Sequence, residues 1–136
     1  MKKVWSLIII LSLVLTIGAG CEKTSDIRYK DGKFTAEDDL DDQGWKGEIE
    51  IEVRDGKIVE VDYDEANKEG DKKTEDEEYS KSMEESSGVS PEDAYEQLED
   101  ALIKTQDPNR IDAVSGATTS SERFKKLAKE ALDKSK

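Results

Sequence analysis

The residues most suited to chemistry lie close together near the C-terminus, in the segment DAVSGAT at residues 112–118. Thr119, with Glu122 three residues later, predicts a capping box at the start of an amphipathic helix. That pattern leaves Ser-Gly-Ala-Thr at 115–118 without an explanation. Small residues let a backbone approach a ligand closely, and a helix N-terminus favours negative charge. A phosphate group on Thr118 would therefore lie beside a favourable partial charge.

The pattern D-x-x-S-G-A-T at residues 112–118 resembles the flavinylation motif of FMN-binding domains. This family includes the C subunit of the sodium-translocating NADH:quinone oxidoreductase, the G subunit of the Rnf complex, and small surface lipoproteins. The layout most resembles the extracellular flavin lipoproteins of Gram-positive bacteria, over about residues 31–132. The resemblance implies that Thr118 carries FMN through a phosphoester bond. The candidate cofactor-binding residues are Thr118, Asp112, Ser115, Gly116, Ala117, Thr119 and Trp45.

A threonine hydroxyl is a poor nucleophile unless a base removes its proton. The chain has no histidine, and the motif offers only Asp112 as a nearby base. We therefore do not expect the chain to attach the group by itself, and the resemblance implies a separate magnesium-dependent flavin transferase that uses FAD. Asp112 and Gly116 would serve recognition by that transferase or shape the turn, and Asp112 could equally be a plain turn former. Ser115 would hydrogen-bond the phosphate or only the turn backbone.

The composition excludes several cofactor classes. Without histidine, and with a single cysteine at position 21, the chain lacks the ligands for histidine-bound haem, zinc or an iron–sulfur cluster. An organic cofactor would have to carry any electrons, and we predict no metal site. The 34 acidic and 21 basic residues give a formal net charge of −13, which argues against a nucleic-acid partner.

The N-terminus predicts an exported and lipidated protein. Two lysines precede an apolar run at residues 4–17, which is short for a membrane span. Gly18-Ala19-Gly20 then precedes Cys21, and this arrangement resembles a bacterial lipobox, although Gly18 replaces the usual leucine. We assign residues 1–20 to a signal peptide, 21–30 to the lipidated N-terminus and a tether, and 31–136 to a single FMN-binding domain. The alternative is an uncleaved anchor with an incidental cysteine.

The first half of the domain is predicted to form a small antiparallel sheet. A short strand is predicted at residues 33–36, and a stronger one at 48–53 alternates glutamates with apolar residues. Asp55-Gly56 predicts a tight hairpin turn, and the return strand should bury Val59, Val61 and Tyr63. The charged stretch 65–73 is predicted to be a surface loop. The Trp45 ring would either cover a flavin or cap the core beside the hairpin.

The second half reads as helices. Helices are predicted at residues 74–85, from the N-cap Ser90 with Pro91 to about residue 106, and at 120–134. Residues 111–114 are predicted to form a short strand that leads into the motif. The predicted buried residues of the last two helices are Ala94, Tyr95, Leu98, Ala101, Leu102, Phe124, Leu127, Ala128, Ala131 and Leu132. The predicted fold class is α+β, with a small antiparallel sheet and its β-hairpin packed against two to three helices.

The resemblance implies an electron carrier rather than an enzyme. The expected partners are a flavin transferase, a membrane quinol-linked donor, and an extracellular acceptor such as ferric iron. The chain is expected to be a monomer, lipid-anchored on the extracellular face of the cytoplasmic membrane. One alternative is a non-redox surface lipoprotein, a binding or immunogenic module whose Ser-Gly-Ala-Thr loop is structural. Another is a flavin reductase for a small organic acid, but the domain leaves little room for a catalytic unit.

Overall fold

The computed structural model describes residues 29–136, so the predicted signal peptide, the lipidation site Cys21 and most of the predicted tether lie outside the described residues. The strands are β1 (Gly32–Glu37), β2 (Lys46–Arg54) and β3 (Lys57–Ala66), and the helices are α1 (Glu77–Ser87), α2 (Pro91–Thr105) and α3 (Thr118–Asp133). The antiparallel sheet has the order β1-β2-β3, with α2 packed on β3 and α3 across β1 and β2. The predicted α+β class is confirmed. No helix within residues 29–136 is long and apolar enough to cross a membrane.

Strand β2 shows why the sheet has one buried face. Its apolar residues Ile49, Ile51 and Val53 are buried, whereas the glutamates between them point to the opposite, solvated face. Because side chains alternate along a strand, this pattern lets helices cover only one side of the sheet. The alternation predicted for β2 is confirmed.

The hairpin turn at Asp55-Gly56 is also confirmed. Both residues have positive φ, 52° and 76°, as the two-residue turn that matches strand twist requires. Beyond the turn, the prediction that Val59 is buried is wrong, because 41% of its surface is exposed. Glu52 pairs with Glu60 and Val53 pairs with Ile58, which leaves Val59 as the extra residue of a β-bulge. Ile58 takes the inward position instead and is 2% exposed.

The core lies between the sheet and helices α2 and α3. Tyr63 of β3 meets the rings of Tyr95 and Phe124 edge to face, with ring centroids 4.9 and 5.2 Å apart. Edge-to-face contacts suit the quadrupoles of aromatic rings and add to the burial of their apolar surface. The predicted buried residues of α2 and α3 are buried, except that Ala101 is only partly buried.

The predicted start of one helix is confirmed, and that of another is wrong. At α2 the prediction is confirmed: the Ser90 hydroxyl accepts a hydrogen bond from the Asp93 N–H at 3.2 Å. The helix predicted at 74–85 is instead a 3₁₀ turn, Lys73–Glu75, followed by α1. The Asp76 carboxylate accepts from the Tyr79 N–H at 2.9 Å and caps α1, which starts the α-helix later than periodicity alone predicts.

Two other predictions about irregular segments are wrong. Residues 65–73 are not simply a surface loop, because Glu65 belongs to β3 and Glu65 and Lys73 are 1% and 5% exposed. Residues 111–114 are not a strand, and the Val114 N–H donates to the Ser121 hydroxyl at 3.0 Å rather than to a neighbouring strand.

Helix α2 closes the outer edge of β3 with two polar side chains. The Tyr63 N–H donates to Glu99 Oε1 at 2.8 Å, and the Ile58 N–H donates to Gln106 Oε1 at 2.7 Å. These bonds satisfy backbone groups that would otherwise offer a template for strand pairing. Burial, together with the nearby carboxylates of Asp62, Asp100 and Asp64, raises the pKa of Glu99 to about 7.

This raised pKa predicts a pH-dependent stability. The ordinary pKa of a glutamate is 4.5, so below that pH Glu99 is protonated in both the folded and the unfolded chain and does not lower the free energy of unfolding. As pH rises towards 7, the unfolded chain loses this proton more readily, and the free energy of unfolding falls. The variant Glu99→Gln keeps the acceptor but removes the charge. Because the carboxyl is only half buried, we expect Glu99→Gln to raise the free energy of unfolding by about 1–2 kcal/mol at pH 8, relative to the unaltered protein. Near pH 4.5 we expect no increase.

Urea unfolding at both pH values measures this effect. The matched control is Glu96→Gln, since Glu96 is exposed on the same helix and loses the same charge. An equal gain in the control would mean that net charge, rather than the position of Glu99, determines the difference.

Candidate functional site

The Ser-Gly-Ala-Thr loop is held against the end of α1 by Gly116. This glycine has a φ of 84°, and a Cβ atom at its position would lie 2.6 Å from the Ser87 carbonyl oxygen. The Ala117 N–H donates to the Val114 carbonyl at 3.0 Å and closes the turn. Both the backbone conformation and the close approach therefore require glycine at this position.

Helix α3 begins at Thr118, and the predicted capping box is wrong. Ala117 occupies the N-cap position and offers no side-chain cap, while Thr119 is already the second residue of the helix. The Ser121 hydroxyl explains the earlier start, because it donates to the Ala117 carbonyl at 2.7 Å while accepting from the Val114 N–H. The first N–H groups of α3 thus have no side-chain cap, and an uncapped helix N-terminus favours an anion.

A cavity of about 490 Å³ opens in front of this helix start. It lies between one face of α1, the first residues of α3 and the turn at residues 41–43. Thr118 is exposed on its wall. The volume falls within the roughly 300–1,000 Å³ typical of small-molecule sites. The lining residues central to the site are Glu65, Lys73, Tyr79, Met83, Thr118 and Arg123.

Charged side chains on the cavity wall are centred on Glu65, which is almost fully buried. Its Oε2 atom accepts from the Lys73 ammonium and lies 3.3 Å from Arg123 Nη1, and its Oε1 accepts from the Tyr63 hydroxyl at 2.9 Å. Burial alone would raise the pKa of Glu65, but the Lys73 ammonium holds that pKa below its usual value. The carboxylate therefore remains ionised at neutral pH.

Arg123 connects this network to the turn before β2. Its Nε lies 3.0 Å from Asp38 Oδ2, and its Nη2 donates to Asp41 Oδ2 at 2.8 Å. Asp41 also accepts from the Trp45 N–H at 3.0 Å, and these bonds hold its pKa below the usual value despite partial burial. A Cβ at Gly47 would lie 2.7 Å from Arg123 Cδ, so the glycine leaves room for the guanidinium.

Two aromatic rings enclose the Lys73 ammonium. The rings of Trp45 and Tyr79 meet edge to face with centroids 5.6 Å apart. Lys73 Nζ lies 4.8 Å from the first centroid and 4.9 Å from the second, within cation–π range. Tyr79 lines the cavity, whereas Trp45 reaches it only through its contacts with Tyr79 and Lys73.

The structure brings some of the predicted site residues together. Gly116, Ala117, Thr118 and Thr119 line the cavity. Asp112 and Ser115 are exposed and lie outside that lining. Asp112 makes no side-chain hydrogen bond within residues 29–136, so nothing described there supports a role in shaping the turn.

Sequence reasoning missed Glu65, Lys73, Tyr79 and Arg123 as site residues. A signal for Glu65 was present, because it continues the inward alternation of residues 61 and 63. Arg123 likewise lies one helical turn before the buried Leu127. Lys73 carried no such signal, since its burial depends on the 3₁₀ turn that follows β3. In residues 29–136, no group of three or more potential ligands is arranged to hold a metal ion.

The cavity of this small α+β domain lies at an uncapped helix start and is bordered by an exposed threonine, aromatic rings and cations. Such a cavity is suited to an aromatic phosphate ligand. The chain matches the model of the FMN-binding domain over residues 44–133 and belongs to that family. The cavity residues fit such a ligand, because the helix start can meet a phosphate and the ring of Tyr79 can meet an aromatic group. The resemblance to FMN-binding domains found in the sequence is confirmed.

Three known proteins are similar to this chain. A 15 kDa lipoprotein of Treponema pallidum is 43% identical over 69% of this chain and 67% of its own length. The crystal structure of a Clostridium perfringens protein has a TM-score of 0.76 and 43% identity, covering 79% of this chain and 88% of that one. A solution structure from Clostridium thermocellum has a TM-score of 0.53 and 33% identity, covering 77% and 91%.

The close approach at Gly116 gives a matched prediction. We expect Gly116→Ala to cost about 1–2 kcal/mol for its positive φ and a further ~1–3 kcal/mol for the contact with Ser87. Gly70 has a similar φ of 88° but open space around it. Gly70→Ala should therefore lower the free energy of unfolding only by the cost of the positive φ, about 1–2 kcal/mol. Urea unfolding of both variants measures the difference, and equal losses would show that the loop does not depend on this contact.

Proposed function

We propose that this domain is an extracellular electron carrier whose FMN is attached to the Thr118 hydroxyl through a phosphoester bond. The observation that carries the proposal is the placement of Thr118 as the exposed first residue of α3, on the wall of the cavity. A phosphate on that hydroxyl would lie beside the uncapped N–H groups of the helix. The favourable end of the helix dipole would then offset part of its charge.

The attachment requires a second protein. Thr118 needs a base to become a nucleophile, and the Glu65 carboxylate on the same cavity is already held by Lys73 and Arg123. A flavin transferase would use FAD as donor: the Thr118 oxygen forms a bond to the FMN phosphorus, the pyrophosphate bond breaks, and AMP leaves. The exposure of Thr118 and Asp112 leaves the motif accessible to such a partner.

The cavity would hold the rest of the cofactor. Tyr79 and Met83 lie one helical turn apart on the face of α1 that lines the cavity, and they offer an aromatic and a polarisable surface. A bound flavin accepts a pair of electrons and can release them one at a time. The residues of this chain bind and orient the flavin and set the charge around it.

The surroundings of the cavity support the role of a carrier. Within residues 29–136, its two cations are paired with carboxylates, which leaves no evident acid–base pair for chemistry on an organic substrate. We therefore propose a membrane quinol-linked donor and an acceptor such as ferric iron, with the domain acting as a monomer between them.

A lipid anchor would keep the carrier at the membrane. The Treponema relative is named a lipoprotein, which supports lipidation of Cys21 and removal of residues 1–20. Diacyl lipid is a two-chain anchor, and two chains give stable attachment where one does not. The tether at residues 21–30 would then place the domain on the extracellular face of the cytoplasmic membrane.

Thr118→Ala tests the attachment site. Co-expressed with a flavin transferase outside the cytoplasm, the unaltered domain should be yellow and heavier by one FMN, whereas Thr118→Ala should be colourless and unmodified. Thr119→Ala is the matched control, because Thr119 is the next residue, is also exposed and lines the same cavity. Intact mass and visible absorbance are measured, and a modified Thr118→Ala protein would contradict the assignment.

The loaded protein also separates a carrier from a non-redox lipoprotein. A quinol should bleach the flavin absorption, and ferric iron should restore it within the time of mixing. A flavin that neither reagent affects would contradict the role of an electron carrier.

A further inference from the structure

Lys73 is an unusual residue for the wall of a ligand cavity. Its side chain is 6% exposed, and its ammonium is enclosed by the rings of Trp45 and Tyr79. A buried ammonium is costly unless it is paired and hydrogen-bonded. Within residues 29–136, Glu65 is the acceptor for this ammonium. An ammonium carries three N–H donors, so Lys73 has more donors than this one carboxylate oxygen uses.

Arg123, the other cation of the cavity, is balanced differently. Its guanidinium lies within 3.0 Å of Asp38 and Asp41 and 3.3 Å of Glu65. Three carboxylates therefore surround one positive charge, and the nearest two belong to the segment between β1 and β2. Lys73 has only a share of Glu65 and is the less compensated positive charge on the cavity wall.

We propose that Lys73 supplies the positive charge that stabilises the reduced form of the flavin and so sets the reduction potential of this carrier. The inference rests on the proposed function, in which FMN is attached at Thr118. Near neutral pH, two electrons from a quinol and one proton convert the oxidised flavin to its reduced form, and the cofactor gains one net negative charge. A fixed cation in the same cavity favours that product over the starting form.

The surroundings of Lys73 preserve the strength of this interaction. Coulomb attraction between charges is weak in water and much stronger where protein replaces water. The two aromatic rings and the buried Glu65 keep solvent away from the ammonium and fix its position. The charge is therefore already in place and need not reorganise when the flavin is reduced.

The test is the midpoint potential of the flavin-loaded protein, measured by dithionite titration with reference dyes. Lys73→Met should lower the equilibrium constant for two-electron reduction roughly 10- to 100-fold, or about 30–60 mV. Lys72→Met is the matched control, because it removes the same charge at the neighbouring position. The Lys72 side chain is exposed and does not line this cavity. Lys72→Met should change the equilibrium constant for two-electron reduction by no more than about twofold, because water and salt screen an exposed charge.

Glu65→Gln gives a test with the opposite sign. It keeps the size and an acceptor oxygen but removes the negative charge that offsets Lys73, so the potential should rise. The Gln oxygen can still accept from the Lys73 ammonium, whereas Lys73→Met leaves the buried Glu65 carboxylate with Arg123 alone. Glu65→Gln therefore decides the matter if Lys73→Met fails to fold. An unaltered potential in the folded, flavin-loaded variants overturns the inference. If the unaltered, folded domain never acquires flavin from an active transferase, the proposed function is overturned instead.

Discussion

The ionised Glu65 carboxylate is the constraint on which the site depends. A buried carboxylate must be paired, and Glu65 meets this requirement by joining three elements: β3, which carries it, the 3₁₀ turn with Lys73, and α3 with Arg123. Arg123 extends the connection to Asp41 and the turn before β2. Because Arg123 is an α3 residue bonded to both β3 and the turn, these contacts hold the N-terminal part of α3 in position against the sheet.

The cavity follows from this arrangement. Arg123 holds the first turn of α3 beside the turn before β2, while Gly116 lets the preceding loop pass closely over the end of α1. Helix α1 has no fully buried residue and serves mainly as the cavity's outer wall, ended by its caps Asp76 and Gly88. The charged side chains of Glu65, Lys73 and Arg123 hold the site together, and they would also surround a flavin attached there. The same network would therefore serve both the fold and electron transfer.

Local patterns in the sequence predicted most of the fold. The alternation in β2, the Asp55-Gly56 turn and the Ser90 cap are determined by neighbouring residues, and each is confirmed. At the bulge, the inward Ile58 donates its N–H to Gln106, and the buried Lys73 ammonium lies over the Trp45 ring. Both contacts join residues far apart in the sequence, which no local pattern reveals. The start of α3 differs from the prediction for a local reason, because the Ser121 hydroxyl bonds to Val114 and Ala117 and replaces the expected capping box.

Peptide mapping of the mature protein, extracted from the membranes of the cells that make it, tests the account most directly. Trypsin should cut after Arg110 and Arg123 and release residues 111–123, which contain the whole motif. We expect this peptide to carry the mass of FMN and its fragments to place that mass on Thr118. A peptide found only without the flavin, or modified at Ser115 or Thr119 instead, would contradict it.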